Sequence, residues 1–341
     1  MDTPLVSVIV LNWNGKSLIE DCLNSLIKQI YKRTEIILVD NGSTDGSVEL
    51  IKSKFRDRVK LIENEKNLGF SGGNNRGIRA SRGDYILLLN NDAVADEKWI
   101  EELIKVVEKD NRIGMCASKV LSYENKDIID NVGHLIYRDG LNRGKGRLEK
   151  DRGQYDNREE VFFPSGCAAL YRKKMLDEIG LFDEDFFAYG DDTDIGIKGR
   201  LAGWRCIYVP SAVVFHRYSG SSSAYSRLKA FYVERNRVWI AVKYFPLKML
   251  LVSPFYTFIR FLFQAYGALT RKGASGKFVE ENSKIELLKI LFSAYFAAIK
   301  GIGMMLKKRK KIRLLKKVSD AEIYRWFEQF GISAREIALK E

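Results

Sequence analysis

The chain has 341 residues, 46% of them hydrophobic, a formal net charge of +13 and four cysteines, enough for two modest domains or one large α/β domain with an appendage, each burying its own core. Cys22, Cys116, Cys167 and Cys206 are widely spaced and form no C-x-x-C pair, which argues against a zinc knuckle or a disulfide framework and fits a reducing cytoplasm. The positive charge is concentrated late, in Lys307, Lys308, Arg309, Lys310 and Lys311 directly after an apolar segment, so it reads as an anchor for an anionic membrane surface rather than a nucleic-acid groove, the alternative being a solvated helix face.

The N-terminus carries Asp2 and no basic n-region, and no signal peptide is expected. Strands are expected at Leu5–Leu11, Ile36–Val39, Val59–Ile62 and Tyr85–Leu89, alternating with helices at Ser17–Gln29, Ser47–Lys54 and Ser71–Ala80, as a parallel sheet with crossover helices requires. The helix Glu97–Lys109 follows, then strands Ile113–Ser118 and Val132–Tyr137 and a polar stretch over 139–158 that reads as a mobile loop. Order resumes with VFFPSGCAALY, a helix at Lys173–Ile179, the loop LFDEDFFAYGDD, a helix from Thr193 to Ala202 and two strands, Cys206–Val209 and Ala212–Phe215. From about residue 226 the chain turns helical, aromatic and basic, with apolar blocks at Met249–Thr270 and Ile285–Leu306. Arg260 interrupts the first block, and Lys289 and Lys300 the second. Interface-lying helices are therefore preferred over spans, with a re-entrant pair, a tilted span or an ordinary helical subdomain as alternatives.

Five segments carry chemistry. In VDNGSTDGS, Asp40 ends a strand, where open α/β sheets bind ligands; the competing reading is a tight Asn41-Gly42 turn with Asp45 as a helix cap. In NLGFSGGNNRG, glycines and a helix start suit a phosphate, with Arg76 as a fixed charge, although a glycine-rich turn explains the segment equally well. YILLLNNDA drives an apolar strand into Asn90, Asn91 and Asp92, and an acid there calls for a cation, Mn²⁺ or Mg²⁺; a helix-start signal is the rival. FFAYGDDTDIG crowds Asp191, Asp192 and Asp194, whose mutual repulsion suits a general base, with helix capping a compatible second role. His216 ends a strand beside a Ser/Gly loop and is either structural or a metal ligand.

Taken in order, VSVIVLNWNG, VDNGSTDGS, NLGFSGGNNRGI, LLLNNDA, the PSGCAALY to GRLAGWR block and VFHRYSGS resemble the family 2 glycosyltransferases, in particular their rhamnosyltransferase-like branch, over residues 5 to 240. The resemblance implies a GT-A fold, a Rossmann-like mixed sheet flanked by helices, over 1–225, divided into a nucleotide-sugar half (1–110) and an acceptor half (111–225). A helical, membrane-associating region would follow over 226–341. It implies a substrate site of Asn12, Asp40, Asn67, Gly72, Gly73, Asn74, Arg76, Asn91 and Gly166, with Asp40 on the nucleobase. Asp92, at the DxD position, and His216 would hold the metal, and Asp192, with Asp191 beside it, would be the catalytic base. Asn90 stands where Asp is common, and Asp191 where Glu is usual.

The expected activity is inverting transfer of a sugar from a dTDP- or UDP-sugar to a glycan or lipid-linked acceptor at the inner face of the cell membrane, in surface polysaccharide synthesis. The narrower donor expectation is dTDP-rhamnose. The sequence leaves the oligomeric state open. A catalytically silent nucleotide-sugar-binding scaffold is an alternative. A processive synthase is another, although no Q-x-x-R-W element follows the base, and a dehydrogenase would need a fingerprint that is missing.

Overall fold

The computed structural model describes residues 3–217, 226–281 and 283–340. The elements up to the sheet's last strand are, in chain order, β1 (Val6–Asn12), α1 (Lys16–Ile27), β2 (Thr34–Asp40), α2 (Ser47–Lys54), β3 (Lys60–Glu63), α3 (Gly69–Ala80), β4 (Tyr85–Asn90), β5 (Ala93–Ala95), α4 (Trp99–Val107), β6 (Ile113–Ser122), β7 (Ile129–Asn131), β8 (His134–Ile136), β9 (Asn142–Gly144), β10 (Glu159–Glu160), β11 (Ala168–Arg172), α5 (Lys173–Ile179), α6 (Asp191–Leu201) and β12 (Arg205–His216). The helices α7 (Arg227–Tyr244), α8 (Leu247–Thr270), α9 (Gly273–Glu281), α10 (Lys284–Leu315), α11 (Asp320–Gln329) and α12 (Ala334–Leu339) follow. The chain forms two compact units. One holds the residues up to Gly133, Gly144–Arg200 and the strand after Trp204; the other holds His134–Arg143, Leu201–Gly203 and the helices from Arg227 on.

Unit one is built on a ten-stranded mixed sheet of order β10-β12-β6-β11-β4-β1-β2-β3, with β5 added to β12 and β7 to β6. β4, β1, β2 and β3 run parallel, and their centre is apolar on both faces: Val8, Ile9, Val10, Ile37, Leu38 and Leu87 are buried. Near-continuous apolar runs of this kind are what a strand covered on both faces requires. Helix α1 supplies one cover through Ile19, Cys22, Leu23 and Leu26. Helix α3 lies so close to the sheet that a Cβ on Gly77 would come 2.6 Å from Ile9 Cγ2 and one on Gly73 2.3 Å from Leu11 Cδ1.

Several expected elements take a different form. The two strands predicted at Cys206–Val209 and Ala212–Phe215 are one strand, β12, whose register against β6 shifts between Val209 and Val213. Pro210, which has no N–H to give to the ladder, sits at that shift. The strand expected over Val132–Tyr137 is cut back to His134–Ile136, because Gly133 turns the chain at φ +109° and β7 forms before it. The stretch over 139–158, expected to be a mobile loop, carries β9, and its part from Gly144 on is held within unit one by Lys119 to Asp151 (2.6 Å) and Asp156 (2.7 Å) and by Arg147 to Asp130 (2.6 Å).

Unit two has a charged interior. Arg260, fully buried, donates Nε to Asp139 Oδ2 (2.7 Å) and Nη1 and Nη2 to the two carboxylate oxygens of Glu234 (2.7 and 2.9 Å). Arg237 closes the group onto Glu234, Thr257 and Tyr295. The charge that seemed to interrupt an apolar block is therefore the centre of a buried network. Burial works to raise the Glu234 carboxyl, but the Arg260 and Arg237 guanidiniums overcome it and hold it at about 2 against an ordinary 4.5. In α10, Ile285–Leu315 is long and apolar enough to cross a membrane by length and composition alone, through an 18-residue window with a mean hydropathy of 1.5. The expectation that Lys289 and Lys300 disqualify it is corrected, since two charges leave the average high.

A depressed folded-state carboxyl contributes stability that is complete above its unfolded value and lost as pH falls from 4.5 towards 2. Arg260→Met, which leaves the two buried carboxylates of Asp139 and Glu234 to Arg237 alone, is expected to lower unfolding free energy in denaturant titrations by about 3–5 kcal/mol at neutral pH. The deficit should shrink across that acid window, and a neutral result at pH 7 would mean the network is not needed.

Candidate active site

The parallel order β4-β1-β2 brings three polar strand ends to one edge of the sheet. Asn12 pairs in register with Asp40, and Leu11 with Asn90. Asn91 Nδ2 donates to Asn12 Oδ1 (2.9 Å), and Asn12 Nδ2 donates to Asp40 Oδ2 (2.9 Å). The Ser43 backbone N–H and hydroxyl complete the Asp40 carboxylate at 2.8 and 2.7 Å. Asn12, Asp40 and Asn91 thus form one buried chain in which each polar group has a partner, as burial demands. The Asn41-Gly42 turn that competed for this segment also exists. Gly42 has φ +76°, and Asn41 bonds Asn67 Oδ1 and the Gly69 carbonyl, both at 3.1 Å.

Asp92 and His216 meet for a topological reason. Strand β5 begins one residue after Asp92 and pairs antiparallel with the end of β12, setting His216 opposite Ala93. His216 Nε2 lies 3.2 Å from Asp92 Oδ1, and its Nδ1 lies 2.7 Å from Asp130 Oδ2. Burial alone would lower the His216 imidazole; the Cys167 sulfur and the Asp130 and Asp92 carboxylates outweigh it and hold the ring well above its ordinary value. Asp92 Oδ1 is buried and receives no hydrogen bond of good geometry despite the short approach of the imidazole. A carboxylate oxygen and an imidazole nitrogen left facing each other in this way fit a divalent cation as two of its ligands. No cluster of three or more such side chains completes a cage among the described residues, so the remaining positions would fall to ligand oxygens and water, as Mg²⁺ and Mn²⁺ permit.

The third group stands at the start of α6. Asp191, Asp192 and Asp194 occupy its first turn, where the helix N-terminus favours negative charge. Asp191 is buried and Asp192 half-buried. Burial, then the Asp192 charge, push the Asp191 carboxyl well above its ordinary range, while Asp192 Oδ1 accepts from the Thr193 N–H at 2.7 Å. The loop leading in is strained: Phe187 (φ 65°) and Tyr189 (φ 62°) are left-handed non-glycine residues. Phe187 is the centre of a γ-turn closed by the Ala188 N–H on the Phe186 carbonyl (2.8 Å).

The glycine-rich segment serves that loop and the sheet. A Cβ on Gly69 would lie 2.4 Å from the Phe187 carbonyl oxygen, which accepts from the Ser71 N–H at 3.2 Å. Gly166 leaves room for the Phe70 ring, and Gly72 is crowded only by Leu68. Asn67 receives the Gly69 N–H (2.8 Å), Asn74 donates back to the Phe70 carbonyl (2.9 Å), and Arg76 is exposed. Gly73, Asn67 and Asn74 thus take part in close packing and loop support. Sequence reasoning missed Asp130 and Asn75. The latter donates to the Phe182 carbonyl (2.9 Å) and to Glu184 (2.8 Å), joining α3 to the loop before α6. Residues 218–221 of the VFHRYSGS segment lie outside the described residues.

A mixed sheet of this order, with helices on its faces and polar strand ends gathered at one edge, is a GT-A fold. The mannosyltransferase PcManGT of Pyrobaculum calidifontis, solved with GDP-Man and Mn²⁺, shares it at TM-score 0.52 and 17% identity, over 92% of this chain and 86% of that one. The Glycosyl transferase family 2 model matches residues 7–180, over half of the chain, and the protein belongs to that family. It is 38% identical over 117 residues to an uncharacterized glycosyltransferase of Haemophilus influenzae (34% of this chain, 36% of that one). It is 23% identical over 209 residues to the poly-beta-1,6-N-acetyl-D-glucosamine synthase of Staphylococcus aureus (61% and 48%). The chain thus spans less than half the length of either relative.

Asn12→Ala removes the central link between Asn91 and Asp40: the Asn91 amide loses its acceptor, and the Asp40 carboxylate is left to Ser43. It is expected to cost about 1–3 kcal/mol in thermal or denaturant unfolding; an unchanged melting curve would mean that the chain of bonds carries no weight.

Proposed function

We propose that the protein transfers a sugar from a nucleoside diphosphate to an acceptor hydroxyl with inversion. The observation that carries this reading is the buried Asp92 carboxylate facing His216 Nε2 at 3.2 Å, at the same sheet edge as the Asn12, Asp40 and Asn91 chain. Asp92 and His216 would hold Mn²⁺ or Mg²⁺, which when bound neutralises the leaving diphosphate. Asp130, fixed by Arg147, orients the imidazole. Asp40 and Asn12 bind the nucleoside, with Ser43 holding the carboxylate in place.

Asp192, half-buried where Asp191 is buried, is the base that reaches the acceptor. It takes the hydroxyl proton as the acceptor oxygen bonds to the anomeric carbon and the bond to the phosphate oxygen breaks, in one displacement. The Asp191 carboxyl beside it resists ionisation, which leaves the base role to Asp192. The Phe186 to Tyr189 loop offers rings to a sugar face.

The finer reading is a dTDP- or UDP-sugar donor, in particular dTDP-rhamnose, and a glycan or lipid-linked acceptor at the inner face of the cell membrane. Residues 1–110 serve the donor, 111–225 the acceptor and 226–341 the membrane. A processive synthase is the second reading, favoured by the overlap with the staphylococcal synthase.

Nucleoside diphosphate release from a panel of UDP-, dTDP- and GDP-sugars tests the proposal. Asp192→Asn is expected to lower kcat by about 10²–10⁴-fold with donor KM little changed. Full turnover in that variant would remove Asp192 as base, and no release with any donor would leave a scaffold. Product length separates the two enzyme readings, one added sugar against a ladder.

A further inference from the structure

Unit two is built inside out. The face of α8 turned inward carries Ser253, Thr257 and Arg260, which belong to or border the buried Asp139, Glu234 and Arg237 network. Its outward face carries Leu247, Leu251, Phe255, Phe258, Leu262 and Leu269, each more than half exposed. Their spacing of four, four, three, four and seven keeps them on one stripe of a helix. On α10 the same holds for Ile285, Leu288, Phe292, Phe296 and Ile299, with Phe292 78% exposed. A helix in water hides such a stripe and shows its polar face. Two stripes of this length exceed the patches that a soluble surface leaves uncovered.

Charge says what covers them. These two helices carry a single acidic residue among their described side chains, Glu286, and it is paired with Arg227 at 2.6 Å. Against it stand Lys248, the exposed Lys289 and Lys300 beside the α10 stripe, and the exposed Lys307, Lys310, Lys311 and Arg313 beyond it. Apolar stripes bordered by uncompensated lysines match the acyl boundary and anionic headgroups of one bilayer leaflet.

A span is disfavoured by what α10 holds. Along its length it is fastened to α7: Trp239 Nε1 donates to the Ala298 carbonyl (3.1 Å), Arg309 donates to the carbonyls of Val242 (2.8 Å) and Phe245 (2.6 Å), and a Cβ on Gly301 would meet the Trp239 ring at 2.5 Å. Helix α7 carries Arg227, Lys229, Glu234, Arg235, Arg237 and Lys243, all of which would enter the hydrocarbon with it.

We infer that the outward stripes of α8 and α10 insert side by side into one leaflet of an anionic bilayer, as an interfacial anchor and not a crossing. This rests on the membrane-peripheral part of the reading above and not on the transfer chemistry. Flotation of the purified full chain with vesicles of phosphatidylcholine and phosphatidylglycerol tests it. The parent chain is expected to partition about tenfold or more better than a variant carrying Leu251→Gln, Phe255→Gln, Phe258→Gln, Phe292→Gln and Phe296→Gln, to bind pure phosphatidylcholine more weakly, and to be released by alkaline carbonate. Equal flotation of parent and variant overturns the anchor. So does retention after carbonate, which indicates a span, or a lipid-free dimer that the variant abolishes, which indicates a second copy on these faces. Nucleotide binding measured on both proteins keeps the readings apart: flotation lost with nucleotide binding intact confines the effect to the anchor, and nucleotide binding absent from a floating parent sinks the transferase reading alone.

Discussion

A polar group at the end of a buried strand must find a partner within reach, and the order β4-β1-β2 brings three such ends to the same edge. Asp40 meets the constraint within its own neighbourhood, through Asn12 and Ser43. Asp92 does not: its partner is 124 positions later in the chain, delivered by the pairing of β5 with the end of β12. His216 in turn requires Asp130, and Asp130 requires Arg147, so a polar stretch otherwise free to be a loop is fixed by the electrostatic needs of a single carboxylate. Each step moves charge outward until Arg147, which is only partly buried, can share it with water.

The same constraint shapes the start of α6. Three carboxylates in one helical turn repel, and the α6 N-terminus relieves that only in part. Burial decides the rest, separating a reluctant Asp191 from a more accessible Asp192. The strain at Phe187 and Tyr189 is held by α3, whose first glycine exists to let the Phe187 carbonyl approach. Backbone strain of about 1–3 kcal/mol per residue persists only when neighbours over-determine it, and Asn75 and Ser71 are those neighbours.

Much of unit one was legible because apolar runs, turn residues and helix stripes agree there: the helices Ser47–Lys54 and Lys173–Ile179 have the bounds their sequence suggests. What sequence could not supply was distance. Nothing in the spacing links Asp130 to His216, 86 residues apart, and a lone acid in a short strand looks like any other. The glycines of NLGFSGGNNRG were recognisable as places of close approach, but not what approaches, which is Leu11, Ile9 and the Phe187 carbonyl. Arg260 misled for the opposite reason. A charge inside an apolar block reads as an interruption until Asp139 and Glu234 are seen around it, and only then does the helix prove to carry its polar side inward.

The central claim is that the edge formed by Asn12, Asp40, Asn91, Asp92 and His216 binds a nucleoside diphosphate together with a divalent cation. Calorimetric titration of UDP, dTDP and GDP into the purified chain, with and without Mn²⁺, on the parent and on Asp92→Ala, addresses it directly. The account predicts binding of at least one nucleotide that depends on Mn²⁺ in the parent and is lost in the variant while the variant remains folded. Binding that is indifferent to the metal and to Asp92, or no binding by a folded parent, would contradict it.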